Sequence, residues 1–227
     1  MEILITGGTG KLGTALKSVF PEASYPDRKE LDIEKRTYTG DETPYIIIHA
    51  AAATSVEWCE ENQERAYEIN VLGTAWLKKK FPSSYLIYIS TACVFDGETG
   101  GYSEYDEPNP TNWYGTTKLE GERFADLVVR TNFVTREKWP YPKAFTDRFG
   151  TYLFADDVAK AIKDIIFARK RGVIHVCGKE ILSMYDLAQI TTPGILPMTL
   201  ADYTGKAKLT KNMTLITKRW TNYQISY

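Results

Sequence analysis

The feature that most constrains this chain is a glycine-rich turn that directly follows its first apolar run. Residues 2–6 have the short apolar character of a buried strand, and a pattern of apolar residues at helical spacing then runs to about residue 20. Glycines between a strand and a helix permit a tight turn and let the backbone approach a pyrophosphate, while the helix N-terminus offers unpaired N–H groups. We therefore predict a dinucleotide site in this turn. Its residues are Gly7, Thr9, Gly10, Lys11, Leu12 and Gly13.

The rest of the chain alternates short apolar runs with longer amphipathic stretches, a pattern typical of a parallel sheet covered by helices on both faces. Further strands are predicted at residues 23–25, 45–49, 85–90, 128–134 and 173–177, and further helices at residues 59–80, 114–127, 156–170 and 183–189. The predicted fold class is α/β, a doubly wound parallel sheet (Rossmann fold) with a small C-terminal substrate lobe. We expect the dinucleotide-binding domain to span residues 1–134 and the reduced lobe to span residues 135–227.

Charge and cysteine content argue against several classes of protein. The 227 residues include 28 basic and 29 acidic side chains, a formal net charge of -1, so bulk charge favours neither nucleic acid nor a membrane as a partner. The cysteines, Cys59, Cys93 and Cys177, are odd in number and lack the paired spacing of metal ligands. The first strand has no basic flank or long apolar leader before it. We expect a cytoplasmic protein with no bound metal.

The residues after the predicted second strand bear on the choice of cofactor. Asp27 lies where an acid commonly bonds the adenosine ribose, which favours NAD. Arg28 and Lys29 follow at once, and cations at this place can pair with a 2′-phosphate, which favours NADP. Together with Lys11, these cations outnumber the acid. We predict NADP(H), with NAD(H) and a simple solvated turn as the alternatives.

A tyrosine and a lysine one helical turn apart are the candidate catalytic groups. Tyr114 and Lys118 project from the same face of a predicted helix. A carbonyl that receives hydride needs a proton at its oxygen, and a phenol can supply it when a neighbouring ammonium stabilises the anion. Thr91, at the end of the fourth strand, can hydrogen-bond the same carbonyl oxygen. Asn70 on the preceding helix orders a water, braces the backbone or is a helix-packing amide.

These segments together resemble the extended short-chain dehydrogenase/reductases, and within them the dTDP-4-dehydrorhamnose reductases. The opening ILITGGTGKLG, residues 3–13, is similar to the family's first strand and turn. The more specific segments are ISTACVFDG at residues 89–97 and NWYGTTKLEGE at residues 112–122. The resemblance also covers YEINVLGT at residues 67–74 and GVIHVCG at residues 172–178, so it extends over most of the chain.

The resemblance implies roles for individual residues. It makes Thr91 the partner of the substrate carbonyl, Tyr114 the proton donor and Lys118 the lysine that also contacts the nicotinamide ribose. It places Thr91, Ala92 and Phe133 beside the substrate. The cofactor contacts that we expect beyond the glycine turn, from position in the chain or from the resemblance, are Asp27, Arg28, Asp32, Ile33, Ala50, Ala51, Ala52, Asn70, Tyr114 and Lys118.

The chain also departs from the family. Ala92 stands where the reductases usually carry an aspartate, Phe133 stands where tryptophan is common, and both the stretch at residues 135–149 and the C-terminal tail are shorter. The resemblance implies NAD(P)H-dependent reduction of the C4 keto group of a nucleoside-diphosphate 4-keto-6-deoxysugar. The alternatives are a nucleotide-sugar epimerase or dehydratase and a non-catalytic, NADP-binding regulatory subunit. The expected partners are the nucleotide-linked sugar and, among proteins, a second copy of the chain in a homodimer.

Overall fold

The computed structural model describes residues 2–225, so the outermost residues of the two predicted ranges, 1 and 226–227, lie outside it. The strands in chain order are β1 (Ile3–Thr6), β2 (Leu31–Asp32), β3 (Thr37–Tyr38), β4 (Ile46–His49), β5 (Tyr85–Thr91), β6 (Leu127–Thr131), β7 (Phe133–Val134), β8 (Lys143–Phe145), β9 (Phe149–Gly150), β10 (Leu153–Phe154), β11 (Gly172–Val176), β12 (Leu182–Ser183), β13 (Leu196–Met198) and β14 (Asn212–Met213). The α-helices are α1 (Lys11–Val19), α2 (Val56–Glu61), α3 (Gln63–Tyr67), α4 (Gly73–Lys80), α5 (Trp113–Glu122), α6 (Ala155–Phe167) and α7 (Met184–Thr191).

The core of the molecule is a parallel sheet in the order β1-β4-β5-β6-β11. Each neighbouring pair of these strands runs in parallel register. Its carboxyl ends therefore meet at one edge, where open α/β sheets bind their ligands. The predicted α/β fold with a parallel sheet is confirmed.

Both faces of the sheet are buried because its strands are continuous runs of apolar residues. Ile5 and Ile48 face a core that also contains Leu16 of α1 and Ile162 of α6. Leu4, Ile47 and Leu86 face a second core that contains Leu77 of α4. Side chains alternate between the two faces of a strand, so a continuous apolar run can fill two cores at once. This arrangement is the doubly wound fold.

Three predicted elements differ from the structure. The strand expected at residues 23–25 is a single parallel bridge between Ser24 and Leu4, because Pro26 lacks the N–H that would extend the ladder. The single helix expected at residues 59–80 is divided into α2, α3, a π-helical segment at Glu68–Leu72 and α4. The strand expected at residues 128–134 is divided into β6 and β7.

Segments beyond residue 134 belong partly to the main sheet and its core and partly to small sheets outside it. β11 pairs with β6, and α6 packs in the same core as α1. The other segments form small sheets, β12-β9-β14, β10-β7 and β13-β8. Within the described residues, no helix is both long and apolar enough to cross a membrane.

Helix α5 lies unusually close to the sheet. A Cβ on Gly115 would lie 2.2 Å from the carbonyl oxygen of Cys93, and one on Gly121 would lie 2.5 Å from the hydroxyl of Tyr88. Asn112 caps the helix by accepting a hydrogen bond from the N–H of Gly115 at 2.9 Å. Glycine at these two positions therefore allows α5 to pack directly against β5 and the residues that follow it.

A buried ion pair ties α5 to the two central strands. The Nη2 of Arg130 lies 2.6 Å from the Oε2 of Glu122, and the Nε of Arg130 donates a hydrogen bond to the Oε1 of Glu122 at 2.9 Å. The hydroxyl of Ser90 donates to the same Oε1 at 2.6 Å. Bidentate geometry and the additional donor satisfy both charges inside the protein.

We predict that Glu122→Ala lowers the free energy of unfolding by about 3–5 kcal/mol, because it leaves the Arg130 guanidinium buried without a counter-charge. Glu120→Ala, on the same helix, removes an exposed pair with Arg123 and should cost less than about 1 kcal/mol. Urea unfolding of both variants measures the difference. Equal losses would show that the buried pair contributes no more than the exposed one.

Candidate active site

A cleft of about 1190 Å³ opens along the carboxyl ends of the central strands. The glycine turn forms one end of the cleft, the segment at residues 50–55 forms a side wall, and Thr91, Tyr114 and Lys118 lie along its length. Thr91 ends β5, the central strand of the sheet, and the other two side chains come from α5. The fold therefore brings the predicted cofactor turn and the predicted catalytic groups into one cleft.

The glycine turn is shaped by contacts that no side chain would allow. Gly7 has a φ of +73°, and a Cβ there would lie 2.7 Å from the backbone N of Ala51. A Cβ on Gly13 would lie 2.1 Å from the carbonyl oxygen of Gly7. At Gly10, by contrast, a Cβ would meet only that oxygen, at 3.2 Å. Gly7 and Gly13 are thus required by the fold, whereas Gly10 leaves room for a ligand.

The first turn of α1 faces the cleft without a side-chain cap. Gly10 is the N-cap residue and supplies no side-chain acceptor for the N–H groups of the helix. Uncapped N–H groups together with the positive end of the helix dipole bind phosphate oxygens well. The six residues predicted for this turn all line the cleft.

The charged residues predicted to select the cofactor lie at the mouth of the cleft. The carboxylate of Asp27 accepts hydrogen bonds from the N–H groups of Lys29, at 2.7 Å, and of Glu30, at 3.1 Å. Arg28 has a side chain 74% exposed and lies 3.6 Å from a carboxylate oxygen of Glu34. Asp27 is therefore partly committed to its own turn, while the Arg28 guanidinium stays available to an anion.

Asp32 and Ile33 are placed differently from each other. Ile33 lines the cleft. Asp32 is buried outside its lining and accepts hydrogen bonds from the N–H groups of Glu34, at 2.9 Å, and Lys35, at 3.0 Å. Its carboxylate shapes the turn that follows β2.

The side wall at Ala50, Ala51 and Ala52 is held by a buried histidine that sequence reasoning gave no role. The N–H of Ala51 donates to the hydroxyl of Thr6 at 3.2 Å, and that oxygen lies 2.7 Å from the Nδ1 of His49. The Nε2 of His49 lies 3.1 Å from the hydroxyl of Thr74. Burial lowers the pKa of His49 to about 3, so the ring is neutral. Because the Thr74 hydroxyl donates to the carbonyl of Asn70 at 2.7 Å, Nε2 carries the proton and Nδ1 accepts from Thr6.

Asn70 links this wall to the catalytic helix. Its Oδ1 accepts from the N–H of Ala53 at 2.8 Å, and its Nδ2 donates to the carbonyl of Ala53 at 3.0 Å and to the hydroxyl of Thr117 at 2.9 Å. The Asn70 side chain is buried behind the cleft lining. Of the roles considered from sequence, the structure shows the backbone brace.

Thr91 and Tyr114 are hydrogen-bonded to each other. Tyr114 is half-buried, and desolvation raises the pKa of its phenol well above the ordinary value, an effect that the hydrogen bond from Thr91 opposes. The Thr91 oxygen also accepts from the N–H of Cys93 at 3.1 Å. The phenol of Tyr114 is therefore protonated at neutral pH.

Lys118 is buried, with 3% of its surface exposed, and its Nζ lies 3.9 Å from the centre of the Tyr88 ring. Burial lowers the pKa of Lys118 to about 7, although the nearby Glu122 carboxylate raises it. Sequence reasoning expected the lysine to depress the pKa of Tyr114, but in the structure burial dominates and the pKa of the phenol is raised. What Lys118 can still do is stabilise a phenolate once the proton has left.

Of the predicted substrate residues, Phe133 lines the cleft, and Ala92 is fully buried behind it. Sequence reasoning did not assign Thr131, Tyr152 or Met184, which also line this part of the cleft. Tyr152 comes from the weakly patterned stretch before α6, whereas Met184 begins a predicted helix that was given no role in the site. In the part of the chain that the structure describes, no group of three or more His, Cys, Asp or Glu side chains could hold a metal ion.

The fold and the site together define an oxidoreductase of the short-chain dehydrogenase/reductase type. The family model for the RmlD substrate binding domain matches residues 1–146, and the chain belongs to that family.

Relatives with known names match both the whole chain and part of it. The dTDP-4-dehydrorhamnose reductase of Aggregatibacter actinomycetemcomitans is 28% identical over 94% of this chain and 90% of its own. The crystal structure of dTDP-4-dehydrorhamnose reductase from Bacillus anthracis in complex with NADP is 26% identical, with a TM-score of 0.85 over 95% of this chain and 90% of that one. Methionine adenosyltransferase 2 subunit beta of Danio rerio is 37% identical over 53% of this chain but only 42% of its own length.

The buried lysine leads to a prediction about stability and pH. The pKa of Lys118 is about 7 in the folded chain, below its ordinary value of 10.5. Between these pH values only the unfolded chain holds the proton, so the free energy of unfolding decreases as the pH falls. The cost of burying the charged lysine is therefore largest below pH 7. Lys118→Met should therefore raise the free energy of unfolding by about 1–3 kcal/mol below pH 7 and by less near pH 10.

Urea unfolding at the two pH values measures this effect, and Lys35→Met, at an exposed lysine, is the matched control. A destabilised Lys118→Met variant at the lower pH would contradict the account.

Proposed function

We propose that this protein reduces the C4 keto group of a nucleoside-diphosphate 4-keto-6-deoxysugar with NAD(P)H. The observation that carries the proposal is the meeting of Thr91, Tyr114 and Lys118 in the same cleft as the glycine turn. Hydroxyl, phenol and amine stand where the carboxyl ends of the strands converge. Membership of the RmlD family and the reductase relatives support the same activity.

The residues present fit a dinucleotide. Gly10 leaves space next to the uncapped N-terminus of α1, where a pyrophosphate would lie. Ala50, Ala51 and Ala52 offer a small, flat wall along the cleft, suited to the rest of the cofactor. The exposed guanidinium of Arg28 favours NADP over NAD, as does the NADP complex of the Bacillus anthracis reductase. NAD stays the alternative.

The chain's own residues handle the proton. The dinucleotide, when bound, supplies the hydride to the keto carbon. Thr91 hydrogen-bonds Tyr114 and is positioned to donate to the carbonyl oxygen. Tyr114 stays protonated because burial raises its pKa, so it can deliver the proton to that oxygen. Lys118 then stabilises the phenolate that is left, because a cation in a buried site favours a neighbouring anion.

The substrate lobe contains the residues beyond 134 that do not belong to the main sheet or to α6. Phe133, Tyr152 and Met184 line the cleft together with the glycine turn. Residues 135–154 and 177–225 would bind the nucleotide-linked sugar there. The three free, buried thiols support a reducing, cytoplasmic setting.

A regulatory subunit is the second candidate. The match to methionine adenosyltransferase 2 subunit beta favours it, although this chain spans less than half of that relative. The presence of Thr91, Tyr114 and Lys118 in the cleft favours an enzyme, because a lysine whose pKa is strongly lowered by burial is typical of a site that carries out chemistry. An epimerase or dehydratase is disfavoured, since dehydratases usually add an acid pair where this chain has Ala92 and Cys93.

The direct test is to incubate the protein with NADPH and, in turn, the dTDP-, UDP- and GDP-linked 4-keto-6-deoxysugars. The near-ultraviolet absorbance of NADPH should fall with one of these sugars and stay constant without sugar. Tight NADPH binding with no oxidation in the whole panel would support the regulatory subunit instead.

We predict that Gly10→Val abolishes NADPH binding while leaving the chain folded. The new side chain would meet only one protein atom at its Cβ but would occupy the space of the pyrophosphate. Titration calorimetry measures binding, and thermal unfolding checks the fold. Thr14→Val, on the exposed side of the same helix, is the control and should bind normally. Unchanged affinity in Gly10→Val would remove the turn from the cofactor site.

We also predict that Tyr114→Phe lowers kcat by about two to four orders of magnitude, because the variant keeps the ring and loses only the proton of the general acid. The affinity for NADPH should stay within about twofold of wild type. Tyr141→Phe, at an exposed tyrosine outside the cleft, is the matched control. Turnover at the wild-type rate in Tyr114→Phe would assign the proton transfer to another group.

A further inference from the structure

The lining of the cleft is strongly basic, although the whole chain has a formal net charge of -1. Among residues 2–225, the cationic side chains that line it are Lys11, Lys17, Arg28, Lys29, Arg65 and Lys118, and the acidic side chain is Asp27. A cleft lined mainly by one sign of charge attracts ligands of the opposite sign. Sequence reasoning gave Arg65, on α3, no role in the site.

Arg65 and Arg28 meet at a shared carboxylate. The Nε of Arg65 donates a hydrogen bond to the Oε1 of Glu34 at 2.5 Å, and the Nη2 of Arg65 donates to the Oε2 of Glu34 at 3.3 Å. The Nη2 of Arg28 lies 3.6 Å from the same Oε2. Two guanidinium groups from segments distant in sequence therefore lie beside each other.

Both guanidinium groups are accessible to a ligand. The side chains of Arg28 and Arg65 are 74% and 56% exposed, and both residues line the cleft. The side chain of Glu34 is only 19% exposed, and Glu34 is not part of the lining. A guanidinium has five N–H donors, and Glu34 accepts from only two nitrogen atoms of Arg65. The other donors of the two arginines are available to an anion that enters the cleft.

Arg65 is also held in position before any ligand arrives. Its Cζ lies 5.7 Å from the centre of the Trp58 ring, within the range of a cation–π contact. The hydrogen bond from Arg65 lowers the pKa of Glu34, so this carboxylate is charged at neutral pH and retains the guanidinium. A side chain that is already ordered loses less conformational entropy when it binds a ligand.

We propose that Arg65 binds the 2′-phosphate of NADP(H) together with Arg28, and that Arg65 is a second residue that selects this cofactor over NAD(H). The inference rests on the proposed function for placing a dinucleotide in the cleft. The 2′-phosphate is the group by which the two cofactors differ, and the planar fork of a guanidinium matches phosphate oxygens. Glu34 limits the preference, because its negative charge opposes the phosphate next to the same two arginines.

The test uses Arg65→Met, which removes the guanidinium and keeps an unbranched side chain beside Trp58. The probes are NADPH and NADH, which differ only in the 2′-phosphate, and 2′,5′-ADP, which carries that phosphate but no nicotinamide. Titration calorimetry should show the affinity of Arg65→Met for NADPH and for 2′,5′-ADP reduced about 5- to 30-fold, with the affinity for NADH within about twofold of wild type.

Glu34→Gln tests the limit set by the carboxylate. This variant removes the negative charge and keeps an oxygen that can accept from the Nε of Arg65, so the affinity for NADPH should rise about 2- to 5-fold and that for NADH should not change. A loss of NADPH affinity would overturn the role given to Glu34. The matched controls are Arg123→Met and Glu120→Gln, at an exposed ion pair outside the cleft, and both should bind the two cofactors like wild type.

The proposal for Arg65 is overturned if Arg65→Met binds NADPH like wild type, or if it loses affinity for NADPH and NADH equally. In the second case the guanidinium would contact a part that both cofactors share. It is also overturned if wild type binds NADPH no more tightly than NADH, even where a keto-sugar is reduced. If Arg65 selects NADPH but no keto-sugar of the panel is reduced, the proposed activity fails while this inference stands.

Discussion

The site depends on one side chain, the amide of Asn70, which forms hydrogen bonds through both its oxygen and its nitrogen. It holds the backbone of Ala53 through two hydrogen bonds and the hydroxyl of Thr117 through a third. The first contact fixes the wall along which the dinucleotide would lie, and the second fixes the helix that carries Tyr114 and Lys118. The π-helical segment at Glu68–Leu72 contains Asn70. Extra residues in a helical turn of this kind often occur at functional sites, where they re-aim a side chain.

Much of the fold and of the site follows from short-range patterns. The apolar strands and the glycine turn predicted the sheet because their period and turn chemistry are local. The one-turn spacing of Tyr114 and Lys118 predicted a shared face, and both residues do line the cleft. The position of Thr91 at the end of a predicted strand placed it in the same crevice, and the resemblance implied the separate roles of the three residues.

Other features depend on contacts distant in sequence, and no local pattern encodes them. The relay from Thr6 through His49 to Thr74 joins three elements, and the raised pKa of Tyr114 follows from burial that only the packed structure creates. Tyr152 reaches the cleft because Gly150 leaves space for its ring. The same burial that shapes the site carries a cost, since a lysine with a pKa of about 7 weakens the fold where chemistry would occur.

The central claim is that hydride and proton meet a sugar carbonyl in this cleft. The most direct measurement is isotope transfer, in which NADPH carrying deuterium at the transferable position of its nicotinamide is incubated with the protein and dTDP-4-dehydrorhamnose. The account predicts that the product sugar carries the deuterium on C4, as seen by mass spectrometry and NMR. Bound NADPH that keeps its deuterium with every 4-keto-sugar offered would contradict it.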